Sequence, residues 1–411
     1  MTTSFIEWKT IRGLADEPLC PYAAPYITLL QEKGYQPRTI REHLYLIANL
    51  NRYLARNDHR LRDLNEKLVG RFLRRHLRRR KSSAGELPAL YRLLGILRNA
   101  GAIPPAKLVA PTPAQRLAAN FRRYLLEERG CSDWTVENYG RHIDRFVAQR
   151  FGASAAKPSE IQARDVIGFI QRNASEHSPQ HSKQVVTAMR SFLRYLHYGG
   201  CIQTDLSSVV PAVAHWRMAG LPKHLPADAV QKVLDQCDQT TATGRRNYAI
   251  LLLLARLGLR AGEIIALQLE DVDWENSQLT VRSKKGRGWA RLPLPADVGK
   301  AMARYLWDDR PRCSCRNVFV RMVAPYERLS DSPVIAVLTR NALNKAGVES
   351  AHKGAHIFRH SLATGMLRRG ASLDEIGQVL RHKDPDTTAI YAKVDLTALR
   401  RLAVVWPGGG Q

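Results

Sequence analysis

The stretch LRHKDPDTTAIY at residues 380–391 places His382 nine residues before Tyr391. A capping-box pattern that begins at Ser372 predicts a helix that ends near Leu380, directly before this histidine. Two threonines then begin a short helix that carries Tyr391. The stretch therefore predicts a histidine just after one helix and a tyrosine on the next.

Basic residues at predicted turns precede this stretch along the chain. Arg260 follows an apolar helix and a Leu-Gly-Leu turn. His356 and Arg359 are three residues apart, so on a helix they share one face. Lys285 lies in a Lys/Gly-rich turn between two strand-like segments, residues 279–282 and 290–294, which predicts a β-hairpin.

Each of these residues has an ordinary structural interpretation when it is taken alone. A tyrosine on an apolar helix is usually a core residue, and a lysine in a hairpin turn is usually just solvated. Together, two arginines, one lysine and two histidines near a tyrosine are what phosphoryl transfer at a phosphodiester needs. The arginines can bind both non-bridging oxygens and stabilise the charge that grows in the transition state. The reaction then needs only a nucleophile and an acid for the leaving oxygen.

The composition agrees with a nucleic-acid substrate but names no activity. The 411 residues include 63 Lys and Arg against 37 Asp and Glu, a formal net charge of +26, and 45% are hydrophobic. Such a chain is expected to fold and to bind a polyanion, as ribosomal and DNA-coating proteins also do. The longest apolar run, residues 249–255, is far shorter than the roughly 18 residues that a membrane helix needs. With no secretory signal pattern and sparse cysteines, we expect a cytoplasmic, nucleoid-associated protein.

The densest basic run lies in the N-terminal part of the chain. It would neutralise DNA phosphates and make binding steeply dependent on salt. A solvated helix end and loop is an equally good interpretation, because many proteins carry similar runs. The run comprises Arg74, Arg75, Arg78, Arg79, Arg80 and Lys81.

The N-terminal half contains a candidate internal duplication. A Gly at 34 and a Thr at 39 recur as Gly130 and Thr135, at an offset of 96, with Leu30 paired with Leu126 and the threonines taken as helix caps. Three or four predicted helices follow in the same order in each copy. Shared apolar periodicity of two unrelated helical bundles is the alternative.

Proline-rich connectors around residues 104–113 and 211–226 separate the parts. We therefore predict three domains: an N-terminal helical module (1–110), a second helical module with its linker (111–221) and a mixed α+β domain (222–411).

Patterns for nucleotide or metal cofactors are absent from the sequence. No P-loop or G-x-S-x-G elbow occurs, and Ile357 stands where an H-E-x-x-H motif would need a glutamate. Cys313 and Cys315 could form half a metal site, but no second ligand pair lies near them. We therefore expect neither a cofactor nor a metal.

The chain from about residue 225 to 400 resembles the tyrosine recombinases, the phage-integrase and Xer-type family. The run LGLRAGEI at residues 257–264 is similar to the first-arginine box, and HIFRH at 356–360 to the His-x-x-Arg box. The hairpin resembles the family's β-hairpin with a catalytic lysine, at Lys285 or its neighbour Lys284, and residues 380–391 resemble the final box. Arg381 replaces a common Gly, so the helix is expected to end without that easy left-handed residue.

The resemblance implies a mainly α fold with a small β-hairpin element: two SAM-like bundles, of which 115–205 is the core-binding domain, and a catalytic domain. It implies site-specific cleavage and rejoining of DNA through a 3′-phosphotyrosyl link, without metal or ATP. Tyr391 would be the nucleophile and Lys285 the acid for the leaving oxygen, with His356 as proton acceptor. Charge stabilisation would fall to Arg260, Arg359 and His382, and support to Glu263.

The implied partners are double-stranded DNA with specific recombination sites and further protomers, four on two sites, with sister recombinases or accessory proteins as possible additions. A C-terminal helix from Lys393 to Trp406 would dock on a neighbouring subunit. The protein would mobilise or resolve a genetic element. The alternatives are a type IB topoisomerase and a catalytically idle DNA-binding accessory or regulatory protein.

Overall fold

A computed structural model describes residues 18–77, 85–106, 110–152, 156–212, 223–282, 288–330, 332–350, 352–382 and 384–394. The chain divides into two compact units, of which Leu108–Gly220 is one. The other joins Met1–Lys107 with Leu221–Gln411. Within the described ranges no helix is long and apolar enough to cross a membrane. The three-domain division remains a prediction.

The first segment is a four-helix bundle. Its core is formed by apolar residues between Leu19 and Ile103, most of them fully buried. Inside it Tyr26 donates its hydroxyl hydrogen to the Ala89 carbonyl, and the same hydroxyl lies 3.1 Å from His43 Nδ1. The helices are α1 (Ala23–Glu32), α2 (Pro37–Arg56), α3 (Glu66–Leu77) and α4 (Glu86–Asn99), with a 3₁₀ turn at Leu61–Asp63.

The second segment repeats this order of elements around a core of its own. The sequence begins its helices well: Thr112 and Gln115 form a capping box, and Ser132 and Ser178 accept hydrogen bonds from first-turn amides. The elements are α5 (Pro113–Glu127), α6 (Asp133–Phe151), a 3₁₀ turn at Pro158–Glu160, α7 (Ala163–Glu176) and α8 (Pro179–Tyr198).

The two bundles share their order of elements, and they differ at the first turn. Gly34 and Gly130 both have positive φ, +78° and +55°. In the first bundle the Tyr35 amide donates to the Leu30 carbonyl, whereas in the second the Cys131 amide reaches back one residue further, to Leu125. The second turn thus holds an extra residue, so Leu125 is buried, and the predicted pairing of Leu30 with Leu126 is wrong by one.

The predicted threonine caps are also wrong. Thr39 and Thr135 lie inside the first turns of α2 and α6, and the N-cap residues are Gln36 and Ser132. Ser132 Oγ and Thr135 Oγ1 lie 3.0 Å apart, so the threonine supports the cap without being it.

The third segment builds helices around α10, whose consecutive residues from Ala249 to Ala255 are all buried. A three-stranded antiparallel sheet with the order β1-β2-β3 contributes Leu279 and Val281 to the same core. The predicted hairpin is confirmed as β2 and β3, with Val281 opposite Ala290. The mainly α fold class with a small β element is thereby confirmed. The elements are α9 (Ala227–Asp235), α10 (Ala242–Leu257), α11 (Ala261–Ala266), β1 (Val272–Asp273), β2 (Gln278–Arg282), β3 (Trp289–Pro293), α12 (Ala296–Arg304), α13 (Ser332–Lys345), α14 (His356–Arg368) and α15 (Leu373–Leu380), followed by 3₁₀ turns at Pro385–Thr387 and Ala389–Val394.

One contact joins the first bundle to the third segment within their shared unit. The Tyr326 ring lies so close to Gly34 that a Cβ atom there would be 2.3 Å from Tyr326 Cδ2. The Tyr326 amide donates to the Lys33 carbonyl at 3.4 Å, and Lys33 Nζ lies 3.5 Å from Glu327 Oε1. Glycine is therefore needed at position 34 for two reasons, its left-handed backbone and its missing side chain.

Candidate active site

The turn after α10 places Arg260. Gly258 ends the helix in the left-handed conformation, and a Cβ atom there would lie 2.9 Å from Leu380 Cδ2. Arg260 then caps α11: its backbone amide donates to Glu263 Oε2 and its Nη1 to Glu263 Oε1, both at 2.9 Å. Burial would raise the pKa of Glu263, but the charges of Arg381 and Arg260 outweigh it and hold that pKa below its usual range.

Arg359 on α14 is almost fully buried, with 3% of its surface exposed. Its Nη1 donates to the Gly258 carbonyl at 2.5 Å, and its Nη2 donates to the Leu380 carbonyl. Burial, with Arg260 and Arg381 nearby, lowers the pKa of its guanidinium to about 10. The guanidinium thus joins the C-terminal ends of α10 and α15 and is fixed in place by two backbone carbonyls.

Tyr391 lies on the last 3₁₀ turn, in a small core with Ala363, Ile376 and Leu380. Only 1% of its surface is exposed. Burial raises the pKa of its hydroxyl to about 12, against the lowering effect of Arg359 and Arg260. The nucleophile predicted from the sequence is therefore neutral and nearly covered.

The histidine beside Tyr391 is His360, whereas the sequence led us to expect His356. His360 Nδ1 lies 2.8 Å from the Tyr391 hydroxyl oxygen. Burial, together with His356 and Arg359, lowers the pKa of His360 to about 4, so the ring is neutral near pH 7. A neutral ring that carries its proton on Nε2 accepts the tyrosine hydrogen through Nδ1. His356, the first residue of α14, is exposed.

His382 follows α15, as predicted. Its Nδ1 lies 2.7 Å from the hydroxyl oxygen of Thr388, which is buried. Burial and the charges of Arg359 and Arg260 lower the pKa of His382 to about 4. Thr388 thus orients the ring, a role that the sequence alone did not reveal.

Arg381 ends α15 in the left-handed conformation, with φ +56° and ψ +47°. The helix therefore ends without glycine, as expected, and arginine itself adopts the left-handed conformation in its place. Its Nη2 donates to Glu263 Oε2 at 2.9 Å and its Nη1 to the Val379 carbonyl at 3.1 Å. One carboxylate therefore receives hydrogen bonds from two arginines.

Several predicted residues lie outside the described ranges. They include Lys285, its neighbour Lys284, the basic residues Arg78, Arg79, Arg80 and Lys81, and most of the predicted C-terminal helix. Arg74 and Arg75 are described: they are exposed in the last turn of α3. Across the described parts of the chain no group of three or more His, Cys, Asp or Glu residues could hold a metal ion.

Family models match most of the second and third segments. The phage integrase family model covers residues 223–397, and the model of the phage integrase N-terminal SAM-like domain covers residues 118–199. The chain is 40% identical over 396 residues to a putative integrase/recombinase, y4rA, of Sinorhizobium fredii, covering 96% of both chains. It is 29% identical to the tyrosine recombinase XerD of Listeria monocytogenes, covering 69% of this chain and 96% of the relative.

Solved structures share the fold at low sequence identity. A XerH site-specific recombinase bound to its difH substrate is similar with a TM-score of 0.53 and 18% identity, covering 70% of this chain and 84% of that one. A lambda integrase dimer bound to a core site gives a TM-score of 0.52 at 16% identity, over 67% of this chain and 94% of that one.

Proposed function

The chain belongs to the phage integrase family of tyrosine recombinases, and from this premise we propose that Tyr391 is the nucleophile and that His360 accepts its proton. The protein is a site-specific DNA recombinase, which cleaves and rejoins strands through a phosphotyrosyl link. The relatives give no support to the topoisomerase and idle-accessory alternatives, since they are named integrases and recombinases. The observation that carries the proposal is the 2.8 Å approach of His360 Nδ1 to the Tyr391 hydroxyl, in a site that two arginines border.

In the cleavage step the Tyr391 oxygen attacks the scissile phosphorus. An oxygen–phosphorus bond forms to the tyrosine while the bond from phosphorus to the 5′ oxygen breaks. The tyrosine proton passes to His360, and Lys285 protonates the departing 5′ oxygen. The products are a 3′-phosphotyrosyl link and a free 5′-hydroxyl. The phosphotyrosyl link conserves the energy of the phosphodiester bond that was broken. The 5′-hydroxyl of a partner strand can therefore attack the link and rejoin the DNA without ATP or metal.

Arg260, Arg359 and His382 stabilise the charge on the transferring phosphate. The support for Arg359 is its rigidity, because two backbone carbonyls hold the guanidinium before any substrate arrives. A preorganised donor lowers the barrier without reorganising during the reaction. For His382 the support is the hydrogen bond to Thr388, which fixes the ring. Glu263 orients Arg260.

His360 replaces His356 as the proton acceptor in this proposal. A general base must lie within hydrogen-bond reach of the proton that it takes, and His360 meets this condition at 2.8 Å. Its lowered pKa keeps the ring neutral near pH 7 and thus able to accept. His356, exposed at the start of α14, is left to contact the phosphate or its neighbours.

The remaining partners follow from the family and the charge. We propose that residues 118–199 bind double-stranded DNA at a specific recombination site, that four protomers act on two sites, and that the last residues dock on a neighbouring subunit. Arg74 and Arg75 would bring the first bundle onto DNA phosphates. Localisation with the nucleoid, and sister or accessory proteins, are compatible with this proposal.

A nicked suicide duplex with the cognate site tests the chemistry, because loss of the short 5′-hydroxyl fragment traps the covalent adduct. The site is found by sequencing the ends of the element that encodes the protein. Tyr391→Phe should abolish the adduct. Tyr305→Phe is the matched control: Tyr305 is an equally buried tyrosine of the third segment, and its hydroxyl accepts a hydrogen bond from the Val320 amide. An adduct that survives in Tyr391→Phe would refute the proposal.

A further inference from the structure

Arg381 occupies a backbone conformation that disfavours it. Among the described residues only Asp58, Ser277 and Arg381 have positive φ without being glycine. Aspartate is among the few residues that adopt this region readily, because a short polar side chain can bond locally to the backbone. Arginine is not one of them, although Arg381 Nη1 donates to the nearby Val379 carbonyl. Glycine would close α15 at lower cost. A strained residue beside a reactive centre points to a role for its side chain.

The side chain of Arg381 completes a bridge. It is largely covered, with 12% of its side-chain surface exposed, and its Nη2 donates to Glu263 Oε2. The other oxygen of Glu263 accepts from Arg260 Nη1. The carboxylate, itself 10% exposed, thus ties the start of α11 to the end of α15.

A second bridge joins the same region. Arg359 donates to the Gly258 carbonyl, two residues before Arg260, and to the Leu380 carbonyl, one residue before Arg381. The site therefore links the Arg260 turn to the Arg381 turn twice, once through backbone carbonyls and once through Glu263. The link through Glu263 depends wholly on the Arg381 side chain.

The link through Glu263 also affects how much of the positive charge of Arg260 remains available to a phosphate. If Glu263 faced Arg260 alone, one carboxylate would neutralise one guanidinium. With Arg381 on the same carboxylate, two positive charges share one negative charge, so Arg260 keeps more of its field for a phosphate. We propose that Arg381 is a positioning residue of the recombinase: it holds Glu263, and through it Arg260, in the geometry and charge state that phosphate transfer needs. The inference rests on the proposed role of Arg260.

Arg381→Gly separates this role from a purely structural one. Glycine relieves the left-handed position, and this gain offsets part of the cost of losing the bond to Glu263, so the variant should still fold. We expect its single-turnover cleavage of the suicide duplex to fall about tenfold or more, with DNA affinity nearly unchanged, as for loss of one charged hydrogen bond. Ser277→Gly is the control, because Ser277 also has positive φ, +52°, and lies in the turn between β1 and β2. It should cleave like the parent chain.

A second measurement compares the cleavage rates of the parent chain and Arg381→Gly on a duplex with a neutral methylphosphonate at the scissile position. Because this phosphate analogue lacks the negative charge, the rate ratio between parent and Arg381→Gly should shrink towards one. Arg381→Lys should recover part of the loss and Arg381→Gln should not, since these two share the backbone strain and differ in charge. This pair decides the matter if the glycine variant unfolds.

The inference is overturned if Arg381→Gly cleaves at the parental rate, or if Lys and Gln at 381 behave alike. The same assays include Tyr391→Phe. If Tyr391→Phe still forms the adduct, the proposed chemistry itself fails. If Tyr391→Phe is inactive while Arg381→Gly is fully active, only the role of Arg381 fails.

Discussion

Replacing Gly34 by alanine should break the contact between the first bundle and the Tyr326 loop. Two costs add. Alanine in the left-handed region costs about 1–2 kcal/mol, and the backbone here has φ +78°. The new Cβ would lie 2.3 Å from Tyr326 Cδ2 and 2.5 Å from Tyr326 Cε2, so the ring must move. Overpacking of this kind costs about 1–3 kcal/mol. The total is therefore about 2–5 kcal/mol.

The second bundle provides a matched control. Gly130 occupies the corresponding turn with φ +55°, and a Cβ atom there would meet nothing within 4 Å. Gly130→Ala should therefore cost only the backbone share, about 1–2 kcal/mol. The difference between the two variants isolates the contact with Tyr326.

Hydrogen exchange of individual peptides measures these costs locally, which matters because a chain of several cores need not unfold in one step. A double-mutant cycle with Tyr326→Ala completes the design. In the Tyr326→Ala background the Gly34→Ala cost should shrink to the backbone share, with a coupling free energy of about 1–3 kcal/mol. Equal costs for Gly34→Ala and Gly130→Ala, or the same Gly34→Ala cost with and without Tyr326, would refute the reasoning.

Three further predictions concern the site and the DNA surface. His360→Ala should slow single-turnover adduct formation by roughly 100-fold, the lower range for a general base, and a parental rate would exclude His360 as the acceptor. Four buried or half-buried histidines have a pKa lowered from 6.5 to about 4 in the folded chain, so between these pH values the unfolded chain binds more protons than the folded one. The contribution of these histidines to the free energy of unfolding should be complete above pH 6.5 and should be lost as the pH falls from 6.5 to 4. Histidine NMR titrations should show midpoints near 4 rather than 6.5 for His43, His142, His360 and His382. Replacing Arg74 and Arg75 by alanine should lower the slope of log K against log salt by about 0.9 for each phosphate that they contact, and an unchanged slope would leave the solvated-helix interpretation.

The sequence predicted what lies close together along the chain. The hairpin, the capping box at Ser372 and the spacing from His382 to Tyr391 are local patterns, and the structure has the corresponding elements. Several bonds that organise the site are not local. Arg359 reaches the Gly258 carbonyl across 101 residues, and Arg381 reaches Glu263 across 118.

Which of two histidines meets the nucleophile also depends on packing. His356 and His360 lie four residues apart on α14, and only the docking of the last 3₁₀ turn brings Tyr391 to His360. The extra residue in the turn at Gly130 is a similar case. The wider turn buries Leu125 in place of the predicted Leu126, and no sequence pattern marks the change. Lys285 lies outside the described residues, so its role stays a prediction.

The burial of Tyr391 has a consequence for how such a protein could lose its activity. The ring is one of four members of a small core, and phenylalanine would fill the same space. A single oxygen atom separates a working subunit from one that folds and occupies its DNA site without cutting it. Loss of chemistry at this position would therefore cost the fold little beyond the hydrogen bond to His360 and would leave DNA occupancy in place. An inactive variant of this kind would compete with active protomers for the same DNA sites. The loss of one oxygen atom could thus convert the recombinase into an inhibitor of itself.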